Sequence, residues 1–146
     1  MKCRKMVPSL LITAIIMQFL LSANAFAATQ MTINVTNSTT STATPSSVQF
    51  IGTLAPTPLA LIAGANQSYI DTGFGNITSF HANYSSGTKK CHFDGASYNQ
   101  TTSTSPCVYT KAANSTGSTS ATCTATITAS SLDPANCSFS VNYGIR

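Results

Sequence analysis

Apolar residues recur at every second position through five stretches of the chain. Met31, Ile33 and Val35 alternate with Thr32, Asn34 and Thr36. Val48 and Phe50 alternate with Ser47 and Gln49, and Phe80, Ala82 and Tyr84 with Ser79, His81 and Asn83. Ala121, Cys123, Ala125 and Ile127 alternate with Thr122, Thr124, Thr126 and Thr128. Cys137, Phe139, Val141, Tyr143 and Ile145 alternate with Ser138, Ser140, Asn142 and Gly144. A strand sends successive side chains to opposite faces, so this pattern predicts half-buried strands with a polar outer face. Shorter strand candidates lie at residues 59–62, 89–93 and 108–111. No stretch sustains the 3.6-residue period of a helix.

Turn residues fall between these stretches. Residues 37–45 form a Thr/Ser loop closed by Pro45, and Ala55-Pro56-Thr57-Pro58 is a stiff connector. Residues 73–76 and 85–87 read as glycine turns, 97–106 and 112–118 as polar loops, and Leu132-Asp133-Pro134 as the turn of a last hairpin. Seven to nine short strands at such spacing predict a single-domain, mostly antiparallel β-sandwich, immunoglobulin-like or similar, with a partly open barrel as the alternative. Serine and threonine make up roughly a third of residues 28–146. The period of two assigns them to the outer faces of strands rather than to a disordered stalk.

The start of the chain follows a different rule. Lys2, Arg4 and Lys5 precede an apolar run over residues 10–21, and Ala25-Phe26-Ala27 supplies small residues for cleavage. This reads as an export signal over residues 1–27, with a β domain over 28–146 and a secreted or periplasmic destination. The apolar run is too short to span a bilayer, which takes roughly 20 residues, so no transmembrane segment is expected in the mature chain. The full sequence carries +4, but three of its seven cationic side chains lie in this leader. The remainder is close to neutral, without the basic patch that nucleic-acid binding requires.

Four cysteines follow the leader: Cys91, Cys107, Cys123 and Cys137. An even count in an exported domain predicts two disulfides and allows three pairings. Local hairpin closure favours Cys91 with Cys107 and Cys123 with Cys137. A four-thiolate zinc site would need closer spacing.

Acid–base chemistry has few candidates. Glutamate is absent, and after the leader the carboxylates are Asp71, Asp94 and Asp133 and the imidazoles His81 and His92. A glycosidase needs two placed carboxylates, and no G-x-S-x-G elbow marks a serine nucleophile. His92 and Asp94 share one strand face and could hold a metal together with His81. The ordinary reading is a solvated face beside a buried cysteine, and Lys89-Lys90 reads as an edge device. Gly73-Phe74-Gly75 lacks the third glycine and following helix of a nucleotide loop. No catalytic, cofactor-binding or metal residue is therefore assigned, no cofactor is expected, and a non-enzymatic role is favoured.

Ligand contact falls instead to loop aromatics. Tyr69, Phe74, Tyr98 and Tyr109 lie in or near predicted loops, where aromatic rings can stack on sugars or enter a membrane interface. The Thr122/Thr124/Thr126/Thr128 ladder resembles, over one strand, a repeat of ice-binding solenoids, though this chain has a single copy. Ile33-Asn34-Val35-Thr36-Asn37, Pro58, Ile62-x-Gly64, Gly73 and Tyr84 are together similar to the opening half of small lipid-binding β-sandwiches such as aegerolysins. That likeness covers about fifty residues, and the present chain departs from it in having no tryptophan and in carrying cysteine pairs. The expectation is an exported binding or surface-interaction protein whose ligand is a glycan or a protein. A membrane-interacting, toxin-like protein on a lipid surface is the second reading and a small hydrolase the third.

Overall fold

The computed structural model describes residues 29–100, 106–133 and 136–146, and the export signal expected over residues 1–27 lies outside them. Among the described residues nine strands run in chain order: β1 (Gln30–Asn37), β2 (Thr44–Ile51), β3 (Thr53–Ala55), β4 (Asn66–Thr72), β5 (Ile77–Ser86), β6 (Lys89–Asn99), β7 (Cys107–Ser115), β8 (Cys123–Ser130) and β9 (Phe139–Ile145). They build a five-stranded sheet in the order β3-β4-β1-β9-β8 and a four-stranded sheet in the order β2-β5-β6-β7. No helix among the described residues is long and apolar enough to cross a membrane.

The phase of the alternation places the core. Met31, Ile33, Val35, Val141 and Ile145 from β1 and β9 are fully buried, as are Phe80, Ala82, Tyr84 and Phe93 from β5 and β6. These two sets meet between the sheets. The Phe93 ring lies 4.8 Å from that of Tyr143 and 5.9 Å from that of Tyr84. Tyr143 spans the core from β9, and its hydroxyl donates to the backbone carbonyl of Asp94 on β6. Burial pushes its pKa above the ordinary phenol value, with Asp94 adding to the rise. Gly95 makes this reach possible, since a β-carbon there would stand 2.5 Å from the Tyr143 hydroxyl.

One pair of neighbours is not antiparallel. β1 runs antiparallel to β4 but parallel to β9, with Ile33 opposite Val141. Alternation reports which face a residue takes, not which strand lies beside it, so this pairing has no signature in the pattern. The chain changes sheets between β2 and β3 at Gly52, whose φ of 141° is closed to other residues. A β-carbon at Gly52 would also lie 2.4 Å from Asp71 Oδ1.

The disulfides correct the expected pairing. Cys91 bonds Cys123, and Cys107 bonds Cys137. β6 and β7 do form a hairpin, but its register sets Cys91 opposite Ser115 and Cys107 opposite Asn99. The two cysteines therefore sit at opposite ends of that hairpin. Likewise Cys123 faces Ile145 rather than Cys137. Each bridge instead joins the four-stranded sheet to the β8–β9 side of the other sheet.

Other expectations also change. Residues 97–99, expected in a loop, complete β6, and β7 runs to Ser115. Residues 59–62, expected as a strand, contribute only the isolated bridge Ala43–Leu61. Phe50 takes the inward parity of its partner Phe80 but lies on the edge strand β2 and stays 46% exposed.

Candidate functional site

The outer face of the five-stranded sheet is built from Thr, Ser and Asn. Outward positions follow the registers across the sheet. One row reads Thr126, Asn142, Asn34 and Ser68, another Thr124, Gly144, Thr36 and Asn66, and a third Ser140, Thr32 and Ile70. None of these side chains is charged. The middle row is internally bonded: Asn34 Nδ2 donates to Asn142 Oδ1 at 2.9 Å and Ser68 Oγ donates to Asn34 Oδ1 at 2.5 Å. Two shallow hollows flank this face. One, of about 280 Å³, is lined by Gln30, Thr32, Ser130, Ser138 and Ser140 among others. The second, of about 220 Å³, is lined by Thr122, Thr124, Gly144 and Arg146 among others. The threonine ladder is thus one column of a wider hydroxyl and amide surface.

The outer face of the four-stranded sheet carries the imidazoles. His81 on β5 stands directly opposite Asp94 on β6, and Asn83 opposite His92. His81 Nδ1 contacts Asp94 Oδ1, and His92 Nε2 lies 3.0 Å from Asp94 Oδ2. His92 Nδ1 lies 3.1 Å from Asn83 Oδ1. Two histidines therefore share one carboxylate, with a carboxamide behind the second. The hydrolase reading requires a histidine within reach of an aspartate, and that pairing is present. It lies on an open strand face, however, and neither hollow is lined by it.

The remaining carboxylates are elsewhere. Asp133 precedes the second break in the described chain, in the β8–β9 connection. Asp71 on β4 is fully buried. Thr78 Oγ1 donates to its Oδ2 at 2.6 Å, while Oδ1 has no hydrogen-bond partner among the described residues. Burial raises its pKa above the ordinary carboxyl value, and the Thr78 hydrogen bond only partly opposes this. The folded chain thus holds the Asp71 proton more tightly than the unfolded one. Its contribution to stability is full below the ordinary carboxyl range and is lost as pH rises through the folded value. Asp71→Asn is expected to stabilise the protein at pH 7 by about 1 kcal/mol. That gain should vanish on acidification, as checked by urea unfolding of both proteins across pH.

Of the four aromatic contact candidates, Tyr69 is buried, Tyr98 and Tyr109 are half-buried and Phe74 is exposed. Tyr69 is fully buried on β4, not in a loop. Its hydroxyl lies 2.8 Å from that of Tyr84, and burial raises the pKa of both. Tyr109 packs its ring 5.0 Å from Phe139 and donates its hydroxyl to the Ser131 carbonyl, so it holds β7 to the β8–β9 connection. Phe74, 68% exposed, lies in the β4–β5 turn. Tyr98 is half-buried on β6, in a row with Ile77 and Val108. The strand ends place Ile51 and Leu132, 45% and 79% exposed, at this same end of the sheets. Sequence reasoning missed both, because neither is aromatic. No protein-family model and no curated protein matches the chain.

Proposed function

We propose that this chain is an exported β-sandwich, immunoglobulin-like in plan, that binds an uncharged glycan through the outer face of its five-stranded sheet. The observation that carries this reading is the composition of that face, in which rows of Thr, Ser and Asn run across four strands without a charge. Each hydroxyl both donates and accepts, and each carboxamide offers two donors and an acceptor, which suits a polyol. The mutual bonds of Ser68, Asn34 and Asn142 hold those groups in place before a ligand arrives, which lowers the ordering cost of binding. Ile70, 44% exposed on β4, supplies apolar contact for a sugar ring face. Two disulfides suit an oxidising location outside the cytosol.

The test is retention of the oxidised protein on a panel of neutral polysaccharides, beside Asn34→Asp and Asn142→Asp variants. Both positions are on the outer face, so the fold should survive the changes. Each is expected to weaken retention by about tenfold, the equivalent of one lost hydrogen bond of about 1.4 kcal/mol. No retention on any polysaccharide, or retention indifferent to both substitutions, sinks the reading.

The second reading, a membrane-interacting protein, rests on a separate observation. Ile51, Phe74 and Leu132 expose apolar side chains at one end of the sheets. Sedimentation with neutral and anionic liposomes separates the two. Lipid binding lost in Phe74→Ser with Leu132→Ser, without polysaccharide retention, would replace the glycan reading by this one.

A further inference from the structure

We infer that His81, His92 and Asp94 form a binding site for one divalent transition-metal ion, with zinc as the expected occupant. The inference does not depend on the glycan reading, since the site lies on the other sheet. Its three residues offer ligand atoms that all lie within 4.8 Å of one another. Tetrahedral ligands about 2.1 Å from a zinc ion stand roughly 3.4 Å apart. The 3.0 Å between His92 Nε2 and Asp94 Oδ2 is close to that spacing, while His81 Nδ1 must draw back from Asp94 Oδ1 to admit an ion.

The hydrogen bonds argue for a cation at this point. Asn83 Oδ1 can only accept, so His92 Nδ1 carries the proton of that 3.1 Å hydrogen bond. In the neutral ring Nε2 then presents a lone pair. It faces Asp94 Oδ2, another acceptor, at 3.0 Å. Two lone pairs at that distance repel unless a proton or a metal ion lies between them. A metal ion satisfies both and engages His81 Nδ1 as well, which already lies against the other carboxylate oxygen.

The backbone presets the arrangement. His81 and Asp94 are direct cross-strand partners on the two central strands of their sheet, and His92 occupies the next outward position along β6. Asn83 fixes the tautomer and orientation of His92, the usual task of a group behind a metal-ligating imidazole. Tyr143 holds the Asp94 carbonyl from the core side. Lys90, opposite Ser85, occupies the neighbouring row of the same face. With one carboxylate and a nearby lysine, charge alone would not draw in a hard cation. Two imidazoles select zinc or copper over magnesium or calcium. The three ligands leave a coordination position open to solvent, since the His81 and His92 side chains are 44% and 35% exposed.

Calorimetric titration of the untagged, oxidised protein with zinc chloride and with magnesium chloride tests this. One zinc per chain is expected, with no magnesium uptake. His81→Ala and His92→Ala should each weaken zinc binding by at least about tenfold, and Asn83→Ala by about the same factor through loss of positioning. Imidazole resonances of His81 and His92 in the NMR spectrum should both shift on adding zinc, a readout that does not depend on any variant folding. Lys90→Gln should leave binding intact or strengthen it. Absence of zinc uptake by the folded protein overturns the assignment. So does uptake that survives the double histidine variant, or magnesium binding of equal strength.

Discussion

Replacing Cys91 and Cys123 together by serine is expected to lower the free energy of unfolding by about 3.7 kcal/mol, from the chain-entropy cost of closing a loop of this length. The bridge spans 32 residues, against 30 for Cys107–Cys137, so both closures carry nearly equal entropy. Their surroundings differ. Near Cys137, Ser97 Oγ donates to the Cys137 carbonyl at 2.6 Å and the Tyr109 hydroxyl donates to the Ser131 carbonyl. Those bonds still hold β6 and β7 to the β8–β9 connection after the bridge is lost. Beside Cys91–Cys123 the cross-links are solvent-exposed, the Ala121 amide donating to Ser115 Oγ at 3.0 Å and Lys111 Nζ to the Ala125 carbonyl at 2.7 Å, so loss of this bridge should loosen β7 from β8 first. A domain of this size is stable by roughly 5–15 kcal/mol, so removing both bridges should leave it largely unfolded at 37 °C. Urea unfolding of the oxidised, singly bridged and reduced proteins measures this, and a non-reducing peptide map fixes the pairing. A loss under about 1 kcal/mol for the first bridge would mean that the unfolded chain is already compact there.

Phe93→Ala should cost about 3–5 kcal/mol, the range for truncating a buried aromatic. Phe93 is fully buried, and its ring lies between those of Tyr143 and Tyr84. Truncation would open a cavity where the two sheets meet and leave the Tyr143 hydroxyl bond to Asp94 without lateral support. The expected fall in Tm is on the order of 10–20 °C, read by circular dichroism. Phe93→Leu should lose much less. Equal losses for the two variants would show that the site tolerates no change of shape, rather than that volume is what it needs.

The strands that alternate cleanly were legible from sequence, and those that do not were missed for stated reasons. In β1, β5 and β9 the inward residues are mostly apolar or aromatic, with Asn37, Thr78 and Ser86 the polar exceptions at strand ends, and the phase of the alternation was read correctly. β4 inverts the rule, with Asp71 buried and Ile70 exposed, so its seven residues gave no strand signal. The second half of β6 turns Gly95, Ser97 and Asn99 inward. They are small or polar because Tyr143 fills the space beside Gly95 and the Cys137 carbonyl meets Ser97. Those partners lie 40 or more residues away, beyond what a local pattern reports. The cysteine pairing failed for the same reason: both bridges cross between sheets, and strand order across a gap is absent from periodicity.

The candidate sites divide in the same way. Asp94 and His92 on one strand face were visible in their spacing, and His81 could be named as their companion. Only the register of β5 against β6 sets His81 opposite Asp94 and Asn83 opposite His92. The threonine ladder was visible as one column, whereas its extension through Asn142, Asn34 and Ser68 depends on the order of four strands. Tyr69 looked like a loop aromatic because β4 itself went unseen.

The parallel contact between β1 and β9 also bears on how the protein is made. β1 borders β4 on one side, but its other edge is filled by a strand more than 100 residues later, with Asn34 opposite Asn142. A chain emerging from a ribosome or a translocation channel presents β1 long before β9. During that interval β1 keeps an open row of amides and carbonyls, the kind of edge on which chains associate wrongly. β8 waits as well, since among the described residues β9 is its one partner in the sheet. The five-stranded sheet therefore assembles last, when β9 enters the slot between β1 and β8, and non-local closure of this kind is slow. Its polar outer surface exists as a continuous face only once that final strand is in place.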